Sequence, residues 1–150
     1  MRLKRLLFVM GASAMLWAFV SLAGLAQGGE KFRTRLSPVP LGGGVSRNTV
    51  DGVGSVSATL SGNTLTITGS FEGLKSVATI AKVHQGIAMG ARGPAIFDLM
   101  VTQAQKGLIS GTLKLTPQQV EALKKGQLYI QIHSLGAPEG GANLWGWLVK

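Results

Sequence analysis

Between Ser55 and Phe71 the chain alternates apolar and polar residues with a period of two, interrupted once by Gly62-Asn63. Val56, Ala58 and Leu60 alternate with Ser55, Ser57, Thr59 and Ser61. Leu65, Ile67, Gly69 and Phe71 then alternate with Thr64, Thr66, Thr68 and Ser70. Successive side chains of a strand point to opposite faces, so this pattern predicts two strands with one buried face and one wet face. Threonine supports the reading, because its branched Cβ favours extended backbone while its hydroxyl stays in water. Gly-Asn between the two runs predicts a tight hairpin turn. A two-faced hairpin needs further strands to cover its apolar side, and candidates follow at 77–85, 95–102, 108–115, 128–134 and 143–149.

One helix is expected among them. Thr116 suits an N-cap, Pro117 the first helical position, and Gln119 stands three residues after the cap as in a capping box. Val120 and Leu123 form a short apolar stripe, Lys124 and Lys125 suit the C-terminal end of the helix dipole, and Gly126 ends it. Short alternating strands, glycine-rich turns and one helix predict an all-β antiparallel sandwich or barrel.

Upstream of the hairpin the composition changes. Arg2, Lys4 and Arg5 precede an uncharged run from Leu6 to Ala26 that closes in Gly24-Leu25-Ala26. That layout predicts a secretory signal over residues 1–26, cut after Ala26, and hence an exported, periplasmic or extracellular chain. The alternative is an uncleaved membrane anchor, since the run approaches the length of a span. Residues 27–51 read as a lead-in: Phe32-Arg33-Thr34-Arg35-Leu36 alternates apolar and basic and suits an edge strand, Pro38 and Pro40 limit its pairing, and a glycine-rich loop follows. Residues 52–150 are then the folded domain, of a size that supports one core.

The formal charge is +9. Removing Arg2, Lys4 and Arg5 leaves 12 basic residues against 6 acidic ones, a charge of +6. A basic exported chain favours anionic partners such as polysaccharides or acidic proteins, and membrane surfaces if the signal is uncleaved. Nucleic acid is set aside, because the chain is exported and its charge is scattered. The chain has no cysteine, which excludes disulfides, thiol catalysis and thiolate-bound metal. It has no Gly-x-Ser-x-Gly elbow, no His-Glu-x-x-His, no phosphate-binding loop and no Gly-x-Gly-x-x-Gly opening a helix. Its six acidic residues are spread singly, without the paired carboxylates of a glycosidase.

The two histidines end separate strands, in Ala81-Lys82-Val83-His84-Gln85-Gly86 and Tyr129-Ile130-Gln131-Ile132-His133-Ser134. Leu128, Ile130 and Ile132 share the core face of the second, so Tyr129, Gln131 and His133 face outward. Lys82 and His84 face outward on the first. In Asn143-Leu144-Trp145-Gly146-Trp147-Leu148 the same parity sets Leu144, Gly146 and Leu148 inward and Trp145 with Trp147 outward. Two outward indoles make an apolar strip with hydrogen-bond donors, suited to stacking on sugars or holding a protein, unless the lead-in or the helix covers it.

These segments, with the Gly90-Ala91-Arg92-Gly93-Pro94 loop and the Leu115-Thr116-Pro117-Gln118-Gln119-Val120 helix start, resemble in their order the CHRD domain family over residues 52–148. The resemblance implies a fold like that of immunoglobulin domains or of copper–zinc superoxide dismutase. It also implies that relatives carry a third histidine where Lys82 stands, so a metal site of three imidazoles is conceivable in them. Here Lys82 adds a competing charge, and two imidazoles alone make a weak copper or zinc site. The closing strand departs from the family as well, with Trp145 and Trp147 where the resemblance implies that relatives often carry arginine and glutamine. The expectation is an exported, non-enzymatic binding or structural module without a resident cofactor. Its binding surface is expected at Trp145, Trp147, Tyr129 and Arg92, with His84 and His133 at most a weak metal site. The rival is a metal-binding redox protein using those two histidines.

Overall fold

The computed structural model describes residues 28–40, 50–137 and 141–150. The expected signal over 1–26 and most of the glycine-rich loop lie outside the described residues. Eight strands form: β1 (Glu30–Pro38), β2 (Val53–Ser61), β3 (Thr64–Glu72), β4 (Ala78–Gln85), β5 (Ala95–Val101), β6 (Gly107–Lys114), β7 (Leu128–Ser134) and β8 (Ala142–Trp147). The helix α1 (Pro117–Lys124) lies between β6 and β7. The strands close into an antiparallel barrel in the order β1-β2-β3-β6-β5-β4-β7-β8, and β8 returns to β1.

The hairpin forms as the alternation predicts, with β2 and β3 paired from Val53↔Glu72 to Ser61↔Thr64. Gly62 sits at φ 60° in its turn, a left-handed conformation that glycine takes without strain. The inward set, including Val56, Ala58, Leu60, Leu65, Ile67 and Phe71, joins Leu128, Ile130, Ile132 and Leu144 from β7 and β8, and Leu148 just after β8, in one barrel core. Burying each such side chain stabilises the fold by about 1.5–3 kcal/mol.

The helix begins as its sequence requires. Thr116 Oγ1 accepts from the Gln119 amide at 3.2 Å, and the Thr116 amide donates to Gln119 Oε1 at 2.9 Å. Such a cap contributes about 1 kcal/mol. Ala122 and Leu123 carry the helix into the core, while Lys124 pairs with Glu30 of β1 at 3.2 Å.

β1 corrects one expectation. It is not an edge strand: it pairs with β2 over Glu30↔Leu60 to Leu36↔Gly54, and with β8 through Ser37↔Trp145 and Pro38↔Leu144. Phe32 and Leu36 are core residues. β1 is thus one of the barrel's own strands. Gly146 makes the closure possible, because a Cβ there would run into Thr34 Oγ1 and the Arg35 carbonyl of β1.

Candidate functional site

β7 lies between β4 and β8, and its register aligns outward side chains in rows across the three strands. His84, Tyr129 and Trp147 form one row; Lys82, Gln131 and Trp145 form the next. The aromatic rings close on one another. His84 stacks on Tyr129 with centroids 4.9 Å apart, and Trp147 tilts onto Tyr129 at 4.4 Å. Trp145 meets Tyr129 edge-on at 5.8 Å and Trp147 edge-on at 5.9 Å. Edge-to-face contacts set the positive rim of one ring against the negative face of another, and each adds about 0.5–1.5 kcal/mol beyond area burial.

The connection from β4 to β5 folds back over this cluster. The Gly93 amide donates to the Tyr129 hydroxyl at 3.1 Å, and that hydroxyl donates to the Gly93 carbonyl at 3.2 Å. The same carbonyl lies 2.9 Å from His84 Nδ1. A carbonyl only accepts, so Nδ1 carries the proton in this contact. Among the described residues nothing hydrogen-bonds the buried His84 Nε2. Gly86 and Gly93 allow the loop to lie this close, since a Cβ on Gly93 would run into the Gln85 carbonyl and one on Gly86 into the Ala91 carbonyl. Arg92 reaches out from the loop, its guanidinium 5.9 Å from the Trp145 ring centre, and donates through Nη2 to the Pro40 carbonyl at 3.0 Å. Val39, Val50, Ala137 and Ala142 pack beside Trp145.

The expected residues thus divide. Trp145, Trp147 and Arg92 come together and stay partly reachable, the tryptophans half-buried and Arg92 exposed. Tyr129 belongs to the same cluster but is only 1% exposed. The parity that turns it away from the barrel core is right, yet the second face is itself covered, so Tyr129 is a foundation for the surface and not part of it. Cover comes from the 86–94 loop and, at Trp145, from the lead-in residues Val39 and Val50; the helix takes no part.

The histidines do not converge. His84 lies opposite Tyr129, and His133 is four residues further along β7, about 13 Å at the usual rise of a strand. His133 Nε2 lies 2.9 Å from the Gln131 side-chain amide, a partner that outward parity alone did not single out. Lys82, at the position where relatives are implied to carry a third histidine, is tied to Asp98 at 2.6 Å. These residues do not fit a shared copper or zinc site, and among the described residues no group of three or more His, Cys, Asp or Glu side chains comes together.

Two carboxylates elsewhere are held below their ordinary range. Lys150 first, then Lys124, hydrogen-bond Glu30, and the Gly52 amide first, then Lys75, stabilises Asp51. Both lie away from the aromatic cluster.

No curated protein and no solved structure matches this chain. The profile of the CHRD domain matches residues 38–141, from the last residue of β1 to the threshold of β8. That span holds six of the eight strands whole, the helix and both histidines, and with it the chain belongs to the CHRD domain family.

Proposed function

We propose that the protein is an exported, non-enzymatic CHRD module that binds a partner through the outer face of β4, β7 and β8. The observation that carries this reading is the half-exposed pair Trp145 and Trp147 on a rigid sheet, with the Arg92 guanidinium beside them. Aromatic rims and a guanidinium are the groups that most often anchor contacts with other molecules, because they bury large area with few rotatable bonds. Tyr129 and His84 act beneath them as the support that keeps both indoles in place. The partner is a protein or an anionic or carbohydrate ligand that presents a flat apolar face with acceptors for the indole and guanidinium donors.

The test uses protein recovered from its native compartment. Its N-terminus is expected at or near Gln27, and addition of the partner co-purifying with it is expected to shield Trp145 and Trp147 from fluorescence quenching by acrylamide. Intact Met1 in a membrane fraction, or a complex that leaves both tryptophans as quenchable as before, overturns the proposal. Metal analysis of the same preparation is expected to find no stoichiometric copper or zinc. A metal that survives dialysis and is lost in His84→Ala would favour the redox reading instead.

A further inference from the structure

The opposite side of the barrel carries a different surface. On the outer face of β1, β2, β3 and β6 the register sets outward residues in three straight rows. These are Arg35-Ser55-Ser70, Arg33-Ser57-Thr68-Ser110 and Lys31-Thr59-Thr66-Thr112. Each row starts with a cation on β1 and continues with hydroxyls. Strand geometry spaces neighbouring hydroxyls about 4.8 Å across the sheet and successive rows about 6.7 Å along it. Among the described residues none of these eight hydroxyls has a hydrogen-bond partner, and none of the three cations has a carboxylate partner. Lys106 and Lys114 extend the positive charge, and among the described residues Glu72 is the one carboxylate on this face. An open hollow of about 750 Å³ lies over the first row, its polar lining Arg35, Ser55, Ser70, Lys106 and, at one end, Glu72, with Leu108 beside them.

A protective role does not account for the cations. Lysine and arginine on an edge strand keep it from pairing with other chains. β2 takes one side of β1 along most of its length, and on the other side Arg33, Ser37 and Pro38 already pair with Val149 and β8, which leaves little edge to protect. Nor is the face shaped for a bilayer. Its exposed apolar side chains, Val53 and Leu108, stand on two different strands, and a bilayer would leave the hydroxyl rows unused.

We infer that this face binds an acidic polysaccharide, its carboxylates or sulfates on the β1 cations and its sugar hydroxyls on the serine and threonine rows. Guanidinium groups form paired hydrogen bonds with such anions. Hydroxyls that donate and accept match a polymer whose own hydroxyls do the same. A chain lying across the strands meets a fresh hydroxyl at each one, and the exposed Leu108 at the hollow offers an apolar contact to the C–H side of a sugar ring. The surface is separate from the aromatic face, so either can fail without the other.

The experiment is titration of the full-length purified protein with polygalacturonate at low salt. Binding is expected to weaken as salt rises, and the fully methyl-esterified polymer is expected not to bind. The variant Lys31→Ala/Arg33→Ala/Arg35→Ala is expected to lose at least tenfold in affinity with an unchanged melt. If that variant melts early, Arg35→Gln alone serves and is expected to lose several-fold. Thr66→Val/Thr68→Val keeps the charge and is also expected to lose several-fold. The inference is overturned if the cation variants bind unchanged, if the methyl-esterified polymer binds equally well, or if phosphatidylglycerol vesicles are bound in preference to polygalacturonate.

Discussion

The outer face of β4, β7 and β8 and the outer face of β1, β2, β3 and β6 obey the same alternation rule, yet one became a second small core and the other stayed open. The difference lies in what each face offers to a passing loop. On β7 and β8 the outward positions hold the rings of Tyr129, Trp145 and Trp147, wide enough to exclude water and polar enough to hydrogen-bond, with Gln131 among them. The 86–94 connection settles on them and is fastened through Gly93. On β2 and β3 the outward positions hold serine and threonine, which have too little area to hold a loop down, and a two-residue turn joins the strands with nothing to spare. Alternation alone therefore says which residues leave the core; the size of those residues decides whether they reach water.

The largest test of this contrast compares one residue from each face. Tyr129→Ala removes a buried ring and orphans the Gly93 amide, and is expected to cost about 3–5 kcal/mol in chemical denaturation. Thr68→Ala, equally outward by parity, is expected to stay within about 0.5 kcal/mol. Equal small effects would mean that the aromatic face is as open as the hydroxyl face. Trp145→Ser and Trp147→Ser sharpen the picture, since half-burial predicts about 2 kcal/mol each, between the two extremes. A loss as large as that at Tyr129 would place the indoles in the core and remove the proposed binding surface.

The smallest effect concerns the ion pairs that edge the open face. Glu30, held by Lys150 and Lys124, has its carboxyl below the ordinary range. A lowered pKa means that the ionised form is favoured by folding. The contribution is complete above the unfolded value and disappears as pH falls through the folded one. Glu30→Gln is expected to flatten the acid limb of a melting-temperature profile slightly and to leave neutral pH almost unchanged. Superimposable acid limbs would show that these exposed pairs contribute nothing.

The local parts of the fold were legible. The β2–β3 hairpin, the capped helix and the limits of β7 follow from period two, Gly62-Asn63 and Thr116-Pro117-x-Gln119, all signals written within a few residues. What escaped was non-local. Phe32 and Leu36 alternate with Lys31, Arg33 and Arg35, so a strand was visible there, but its second partner is β8, and nothing near residue 36 points to residue 145. The aromatic cluster was legible in its members and not in its depth. The outward parity of Tyr129 could be read, whereas the loop that seals it is held by backbone atoms of Gly93, which leave no side-chain signature. The hydroxyl rows were read as the wet side of a hairpin; only the register reveals that each begins with a cation.

The seam between β1 and β8 is thin, two paired positions and the Arg33↔Val149 bridge, against nine for the β2–β3 hairpin. It is also the pairing that joins residues farthest apart along the chain, and Glu30 meets Lys150 across 2.6 Å at the same place. Geometrically the described protein is a ring that happens to be cut there. Every other ladder can form while the ring is still open, so the meeting of its two ends carries the largest loop-closure cost.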